Sequence, residues 1–334
     1  MDNLIFSLNV TLPIFLLMVL GYIFNKLGII DEKASSWMNK FVFKIALPVL
    51  VFEDLASQDF AGTWDGKFVL FCFFVTALSI AVISLISKFI VKEKAKRGEF
   101  IQGAYRSSAA LLGIAFIQNI YGEMSSGMGP LMILGSVPLY NIFAVIILMV
   151  TANDSEGAIS AEEKDASGNA VEKNEKSKLI KSTAVGIVKN PIIIGIFVGM
   201  LWSILHIPQP KIFETLVGNV ARLATPLGLM AMGAAFDIKK ALKEVKPAVI
   251  ASIIKLFVLV AIFLPIAVKL GFSGEQLIAI LVMLGSATTV SCYIMAKSMG
   301  HDGVLSSSIV MLTTFGCSFS LTFWLFILKS LGLV

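Results

Sequence analysis

Long apolar stretches alternate with short polar or glycine- and proline-containing loops along this chain. They lie near residues 4–25, 35–56, 67–91, 100–120, 128–151, 182–205, 211–236, 245–270, 275–298 and 304–331. Crossing the hydrocarbon core of a bilayer takes roughly 20 apolar residues, and a backbone in lipid must satisfy its own hydrogen bonds. The pattern therefore predicts an all-α membrane protein of about ten transmembrane helices.

A charged segment that is poor in aromatic residues interrupts this pattern at residues 152–181, as is typical of a flexible solvated linker. Five apolar runs precede the linker within residues 1–151, and five follow it within residues 182–334. If the halves are homologous, an odd number of spans in each places them in opposite orientations, which is common among transporters. We therefore expect two inverted five-helix repeats.

The composition favours a chain embedded in a lipid bilayer, since 57% of its residues are hydrophobic and 15% are charged. Soluble domains carry roughly a quarter charged residues. The formal net charge of +5 is not gathered on one basic face, which argues against a nucleic acid partner. We expect a multi-pass protein of the plasma (inner) membrane.

Basic residues concentrate in alternate loops. The richer set of loops holds Lys26, Lys33, the segment 88–97, the linker, the segment 239–246 and Lys297. Cytoplasmic loops of membrane proteins carry the excess of lysine and arginine. We therefore expect the linker in the cytoplasm and both termini outside.

Two prolines occupy similar positions in the second and seventh runs. Lys44 precedes Pro48 by four residues, as Arg222 precedes Pro226. Proline lacks a backbone N–H and kinks or breaks a helix, and interrupted spans at corresponding positions of two halves point to a binding site at mid-membrane. Both prolines are predicted helix breaks.

The fourth and ninth runs share segments that are rich in small and hydroxylated residues, at 106–113 and 285–293. Such residues allow close helix packing, and they also supply hydroxyl groups to the interior of a bundle. Hydroxyls and helix N-termini together suit an anionic group. The predicted substrate ligands are Ser107, Ser108, Thr288, Thr289 and Ser291, with close helix packing as the alternative.

Arg106 and Arg222 are the strongest charged candidates, because a guanidinium within a span is costly and usually faces a cavity or a partner. It would suit a carboxylate by bidentate contact. We prefer Arg222 as the substrate ligand. In the alternative readings, Arg106 extends to the cytoplasmic interface and Arg222 holds a carbonyl of another helix.

Other polar residues within the runs are weaker candidates. Lys44 and Lys255 are candidates for ion coupling or for contact with the anion. Tyr140 and Asn141 follow Pro138 and can hydrogen-bond an anion or a cation, or pack between helices.

Several stretches together resemble the auxin efflux carrier family of membrane transporters. They are 41–48 (FVFKIALP), 138–142 (PLYNI), 189–195 (KNPIIIG), 224–227 (ATPL) and 295–300 (MAKSMG). The resemblance implies two inverted five-helix repeats whose fourth and ninth helices are unwound and cross at the substrate site. It also implies elevator-like movement and carboxylate substrates such as malonate, malate or auxin.

The crossover itself departs from that family. Where the family usually has a proline in each crossing helix, this chain has Ala115 and Ala287, and Ser108 stands where an asparagine is frequent. We assign the helix breaks there to Gly113, Ala115 and Ala287.

A secondary transporter of a small organic anion is the function that these features favour. A channel or a ligand-binding receptor on the same fold is the alternative. An enzyme or a primary pump is not expected, because the chain lacks HExxH and P-loop motifs and has two histidines in all. We expect no cofactor, H+ or Na+ as the coupling ion, and a homodimer by analogy with related folds.

Overall fold

The computed structural model describes residues 2–56, 64–109, 112, 114–121, 127–152 and 188–334. Every regular element in these ranges is helical and none is a strand, which confirms the all-α prediction. Gly113 and, apart from Ala152, the predicted linker 152–181 lie outside the described residues.

The helices of the first half follow the apolar runs. In chain order they are α1 (Asp2–Lys26), α2 (Glu32–Phe41), α3 (Leu47–Ala56), α4 (Gly66–Ile90), α5 (Lys94–Tyr105), α6 (Ile114–Tyr121) and α7 (Met128–Thr151). Aspartates start two of them, because a side-chain oxygen can accept from the free N–H groups of a first turn. Asp31 accepts from Ala34 N at 2.7 Å, and Asp65 accepts from Phe68 N at 3.0 Å.

The helices of the second half are shorter and more often interrupted. They are α8 (Pro191–Ile204), α9 (Lys211–Arg222), α10 (Ala224–Ala234), α11 (Ile238–Lys243), α12 (Val245–Ile253), α13 (Leu259–Lys269), α14 (Glu275–Gly285), α15 (Ser291–Ser298) and α16 (Val304–Ser330). Asn190 caps α8 by accepting from Ile192 N, and Pro191 occupies the first helical position.

Four helical stretches among the described residues are long and apolar enough to cross a membrane. They are Gly66–Ile90, Met128–Thr151, Val245–Lys269 and Val304–Ser330. Shorter apolar helices cover Thr11–Lys26, Pro191–Ile204 and Glu275–Gly285. The fold therefore combines uninterrupted spans with runs that are divided into shorter helices.

The second run is widened over Val42–Ala46 and continues as a helix through Pro48, where a break was predicted. A π-helical turn over Val42–Ala46 joins α2 to α3, and Leu47 N donates to Val42 O. Pro48 is the second residue of α3, where the π turn has already displaced the regular hydrogen bonds, so the missing N–H of proline costs little.

The seventh run is interrupted at Leu223, three residues before Pro226. Pro226 lies in the first turn of α10, where backbone N–H groups have no intrahelical partner to lose. Proline at this position is therefore compatible with the start of a new helix after the interruption.

Glycines bring α3 and α8 into backbone contact. A Cβ atom on Gly195 would lie 2.5 Å from Pro48 O, and one on Gly199, one turn later, would lie 3.0 Å from Phe52 O. Small residues at such positions let helices in a bilayer approach closely enough for dispersion forces to hold them together.

A second helix pair, α1 and α10, packs in the same way. A Cβ atom on Gly21 would clash with the Met230 carbonyl, and one on Gly233 would clash with the Met18 carbonyl. One contact is made by a glycine of α1 and the other by a glycine of α10, so each helix packs on the backbone of the other. Neither helix can therefore carry a larger residue at these glycines without separating from its partner.

Glu99 joins α5 to the start of α16. Its carboxylate is buried and accepts from Gly303 N at 3.1 Å and from Ser306 N at 2.8 Å. A carboxylate at a helix N-terminus satisfies free N–H groups and interacts favourably with the helix dipole.

Replacing Glu99 with alanine is expected to destabilise the protein by about 2 kcal/mol, because two buried N–H groups lose a charged acceptor. This corresponds to a fall of about 5 °C in the apparent Tm of the detergent-purified protein. Glu93→Ala is the control, since Glu93 is exposed and pairs only with Lys96 among the described residues. An equal fall in both variants would contradict the capping role.

Candidate functional site

Two helices are interrupted in the middle of their apolar runs, and the interruptions meet. After α5 ends at Tyr105 the chain is non-helical over residues 106–108, and after α14 it is non-helical over residues 286–289. Ser108 N donates to Ala287 O at 2.9 Å across the two segments. The fourth and ninth runs therefore contact each other at the segments that the sequence singled out as rich in small and hydroxylated residues.

Side chains from other helices satisfy the carbonyl groups that these helix ends expose. Thr288 Oγ1 donates to Gly103 O in the last turn of α5 at 2.7 Å. Lys255 and Tyr140 both donate to Met283 O in the last turn of α14. A helix leaves its last four carbonyls without intrahelical partners, so these bonds make a buried helix end tolerable.

A cavity of about 200 Å³ lies beside the two interruptions. Seven of the predicted site residues line it: Arg106, Ser107, Ser108, Tyr140, Asn141, Thr289 and Ser291. Its remaining lining is mainly aliphatic: Leu47, Leu50, Val51, Ala109, Val137 and Ile192. The cavity thus joins a polar wall from the two interruptions, α7 and α15 to an apolar wall to which α3 contributes Leu47, Leu50 and Val51.

Arg106 is the centre of the polar wall and is 3% exposed. Its Nη2 donates to Asn141 Oδ1 at 2.8 Å and to Ser291 Oγ at 2.9 Å, and its Nη1 contacts Met295 Sδ at 2.8 Å. Its Nε makes no hydrogen bond within the described part of the chain. The guanidinium is thus held in place by neutral groups, and its Nε has no partner among the described residues.

No carboxylate among the described residues lies within ion-pair distance of Arg106. A buried charge without a counter-charge is expensive, and a site that retains one usually has a use for it. An anionic ligand with oxygens in one plane would supply both the charge and the acceptors that the guanidinium lacks.

Hydroxyl groups of other lining residues surround Arg106 in the polar wall. Ser291 is the first residue of α15 and lies 3.3 Å from the Thr289 hydroxyl, Oγ to Oγ1. Ser107 Oγ lies 3.3 Å from Tyr140 Oη. The N-terminus of α15 adds the positive end of a helix dipole.

Arg222, the substrate ligand that the sequence favoured, does not line this cavity. It is the exposed last residue of α9, whereas Arg106 is buried at the cavity. Of the two arginines, Arg106 therefore lines the cavity, because the interruption after α5 turns its side chain inward. The alternative interpretation, in which Arg106 extends to the cytoplasmic interface, does not agree with its burial.

The other predicted residues do not line this cavity. Lys44 is exposed and lines a separate, larger cavity of about 690 Å³. Thr288 is buried and bonded to Gly103, and Lys255 is buried behind α14. Of the crossover alanines, Ala287 lies in the interruption after α14 and Ala115 lies in the first turn of α6.

Two lining residues were missed by the sequence reasoning. Asp54 lies near the end of α3, is half-buried and lines the cavity. Thr225 also lines it, next to Pro226. The helix break predicted at Pro226 was a usable signal for Thr225, whereas nothing in the sequence around Asp54 distinguished it from a surface carboxylate.

Comparison with known proteins places the chain among membrane transport proteins. The family described as membrane transport protein matches residues 6–325. A Rhizobium meliloti protein named as a candidate malonate transporter is 25% identical over 330 residues, covering 96% of each chain. A Methanothermobacter thermautotrophicus protein named as an uncharacterized transporter is 20% identical over 319 residues, covering 95% of this chain and 97% of its own.

A third relative has a different kind of name. The lysosomal cholesterol signaling protein of Mus musculus is 25% identical over 233 residues, which are 66% of this chain and 25% of the mouse protein.

Proposed function

Because the chain belongs to the membrane transport protein family, we propose that it carries a small organic carboxylate across the inner membrane as a secondary transporter. Family membership and the apolar helices make it a multi-pass membrane transporter and not an enzyme. The carboxylate is inferred from one observation, the buried Arg106 guanidinium that lines the cavity with a free donor and no acidic partner among the described residues.

The size and lining of the cavity support a small substrate. Pockets for drug-sized ligands measure about 300–1,000 Å³, and this one measures about 200 Å³. A dicarboxylate such as malonate, which the name of the Rhizobium meliloti relative mentions, would place one carboxylate on Arg106. The hydroxyls of Thr289 and Ser291 would bind its remaining oxygens.

For the movement, we propose alternating access of the elevator type on ten helices in two inverted repeats, with both termini outside. The contact of the two interruptions through Ser108 and Ala287 supports a crossover at the substrate site. The glycine contacts of α1 with α10 and of α3 with α8 suit fixed helix pairs, because backbone contacts leave little room to slide.

The driving ion in this proposal is H+ or Na+. Asp54 is the titratable acid that lines the cavity in the part of the chain that the structure describes. A carboxylate that takes up a proton beside an anionic substrate would reduce the charge to be moved, so Asp54 is our candidate for proton coupling.

Ligand binding without transport is the second candidate function. It is favoured by the mouse relative, whose name describes signaling. A receptor would bind a carboxylate at the same arginine but would not release it on the opposite side of the membrane.

The test is uptake of radiolabelled malonate, malate, succinate and indole-3-acetate into proteoliposomes, with and without gradients of H+ and Na+. A carrier is expected to show saturable uptake of at least one acid and counterflow, in which internal unlabelled acid accelerates uptake of the label. Binding that raises the apparent Tm without uptake or counterflow would favour the receptor.

A further inference from the structure

Lys255 is a fully buried cation in the interior of the fold. It is 0% exposed and lies in a π-helical turn, Ile254–Val258, within the apolar stretch Val245–Lys269. A π turn inside a span frequently marks a functional position, because the extra residue displaces the regular hydrogen bonds. Here Trp324 Nε1 donates to the Leu256 carbonyl of that turn at 3.0 Å.

The ammonium group of Lys255 binds the end of a broken helix. Its Nζ donates to Leu284 O at 2.7 Å and to Met283 O at 3.1 Å. Both carbonyls belong to the last turn of α14, which ends at Gly285 just before the interruption. They carry the negative end of the α14 dipole and have no partner within the helix.

Carbonyl groups at the end of a half-helix are where secondary transporters hold a coupling cation. A metal cation at α14 would need the same oxygens and the same charge that the Lys255 ammonium already binds and supplies. Both hydrogen bonds that the structure describes for Nζ go to backbone carbonyls and not to a carboxylate. The positive charge is thus directed at the helix end.

We propose that the Lys255 ammonium is a resident cation that takes the place of a coupling Na+ at the end of α14. Carboxylate uptake then needs no Na+, which narrows the proposed coupling ion to H+. This consequence for uptake rests on the proposed function, whereas the occupancy of the helix end by Lys255 can be tested without any substrate.

The test measures apparent Tm in detergent, with Na+ or choline as the only added cation. A thiol-reactive fluorophore reports unfolding through the buried cysteines Cys72, Cys292 and Cys317. Wild type is expected to have the same Tm in both salts. Lys255→Ala is expected to melt about 5 °C lower in choline and to regain at least half of that loss in Na+, because the freed carbonyls can bind the ion.

Two further variants distinguish the loss of a cation at the end of α14 from a general loss of stability. Lys255→Met fills the space without a charge and is expected to melt low in both salts. Lys44→Ala removes an exposed lysine and is expected to melt like wild type. The proposal is overturned if Na+ stabilises wild type or Lys255→Met, or if Lys255→Ala is unaffected by the choice of salt.

Uptake provides the second readout. If wild-type uptake requires a Na+ gradient, the resident-cation proposal is overturned, whereas the proposed transport function is not affected. If none of the four acids is carried while the Tm pattern holds, the proposed function fails and the assignment of Lys255 stands.

Discussion

An Arg106→Gln variant is expected to bind the transported carboxylate about 100-fold more weakly than wild type. The substitution removes the charge and the planar pair of donors, and hydrogen bonds to charged groups are worth about 1.5–3 kcal/mol each. The measurement is the Kd of the carboxylate identified by uptake, obtained by isothermal titration of the detergent-purified protein.

Arg222→Gln is the matched control for this prediction, because it removes the same charge from the exposed end of α9. Its Kd is expected to stay within about twofold of the wild-type value, a difference well under 1 kcal/mol. Apparent Tm and size-exclusion profiles establish that both variants are folded. A weakened Arg222→Gln beside an unaffected Arg106→Gln would restore the order that the sequence suggested and refute the site.

A Gly195→Ala variant is expected to lose about 2 kcal/mol of stability or more, although alanine is the better helix former. The new Cβ would lie 2.5 Å from Pro48 O, and a backbone carbonyl cannot move aside as a side chain can. We expect an apparent Tm lower by about 5 °C and a smaller monodisperse peak in size-exclusion chromatography.

Gly316→Ala is the control for this prediction, because its new Cβ meets a side chain and not the backbone. Its Cβ would meet only Leu256 Cδ1, at 2.8 Å, which is the far end of a flexible side chain, and Gly316 itself is only partly buried. The variant is expected to be as stable as wild type or slightly more stable, because alanine favours the helix. If both alanines destabilise equally, the contact of α8 with α3 is not the cause.

The sequence indicated where the fourth and ninth runs meet, but not which atoms are in contact there. Two segments rich in hydroxylated residues, at 106–113 and 285–293, stood out in otherwise apolar runs. Their hydrogen bond from Ser108 to Ala287 joins residues far apart in the chain, and no local pattern specifies such a pairing. The same limit explains why Thr288 caps α5 when its sequence environment matched that of the cavity residue Thr289.

The roles of the charged residues depend on which way their side chains point in the folded protein. Arg106 and Arg222 both lie within apolar runs, yet one is buried beside the cavity and the other is exposed. Helical periodicity predicts which side chains are buried only along an uninterrupted helix, so it could not distinguish these two arginines. Because the chain leaves the helix at Arg106, its side-chain direction follows from tertiary contacts with Asn141 and Ser291.

By itself, the sequence determined the class of the protein: an all-helical chain with apolar runs that suit a bilayer, since hydrophobicity and the need to satisfy backbone hydrogen bonds act locally along each run. The tertiary structure decided which polar groups meet, namely Arg106 at the cavity and Lys255 at the end of α14. These choices depend on packing between distant helices, where a π turn or an interruption redirects every side chain that follows it.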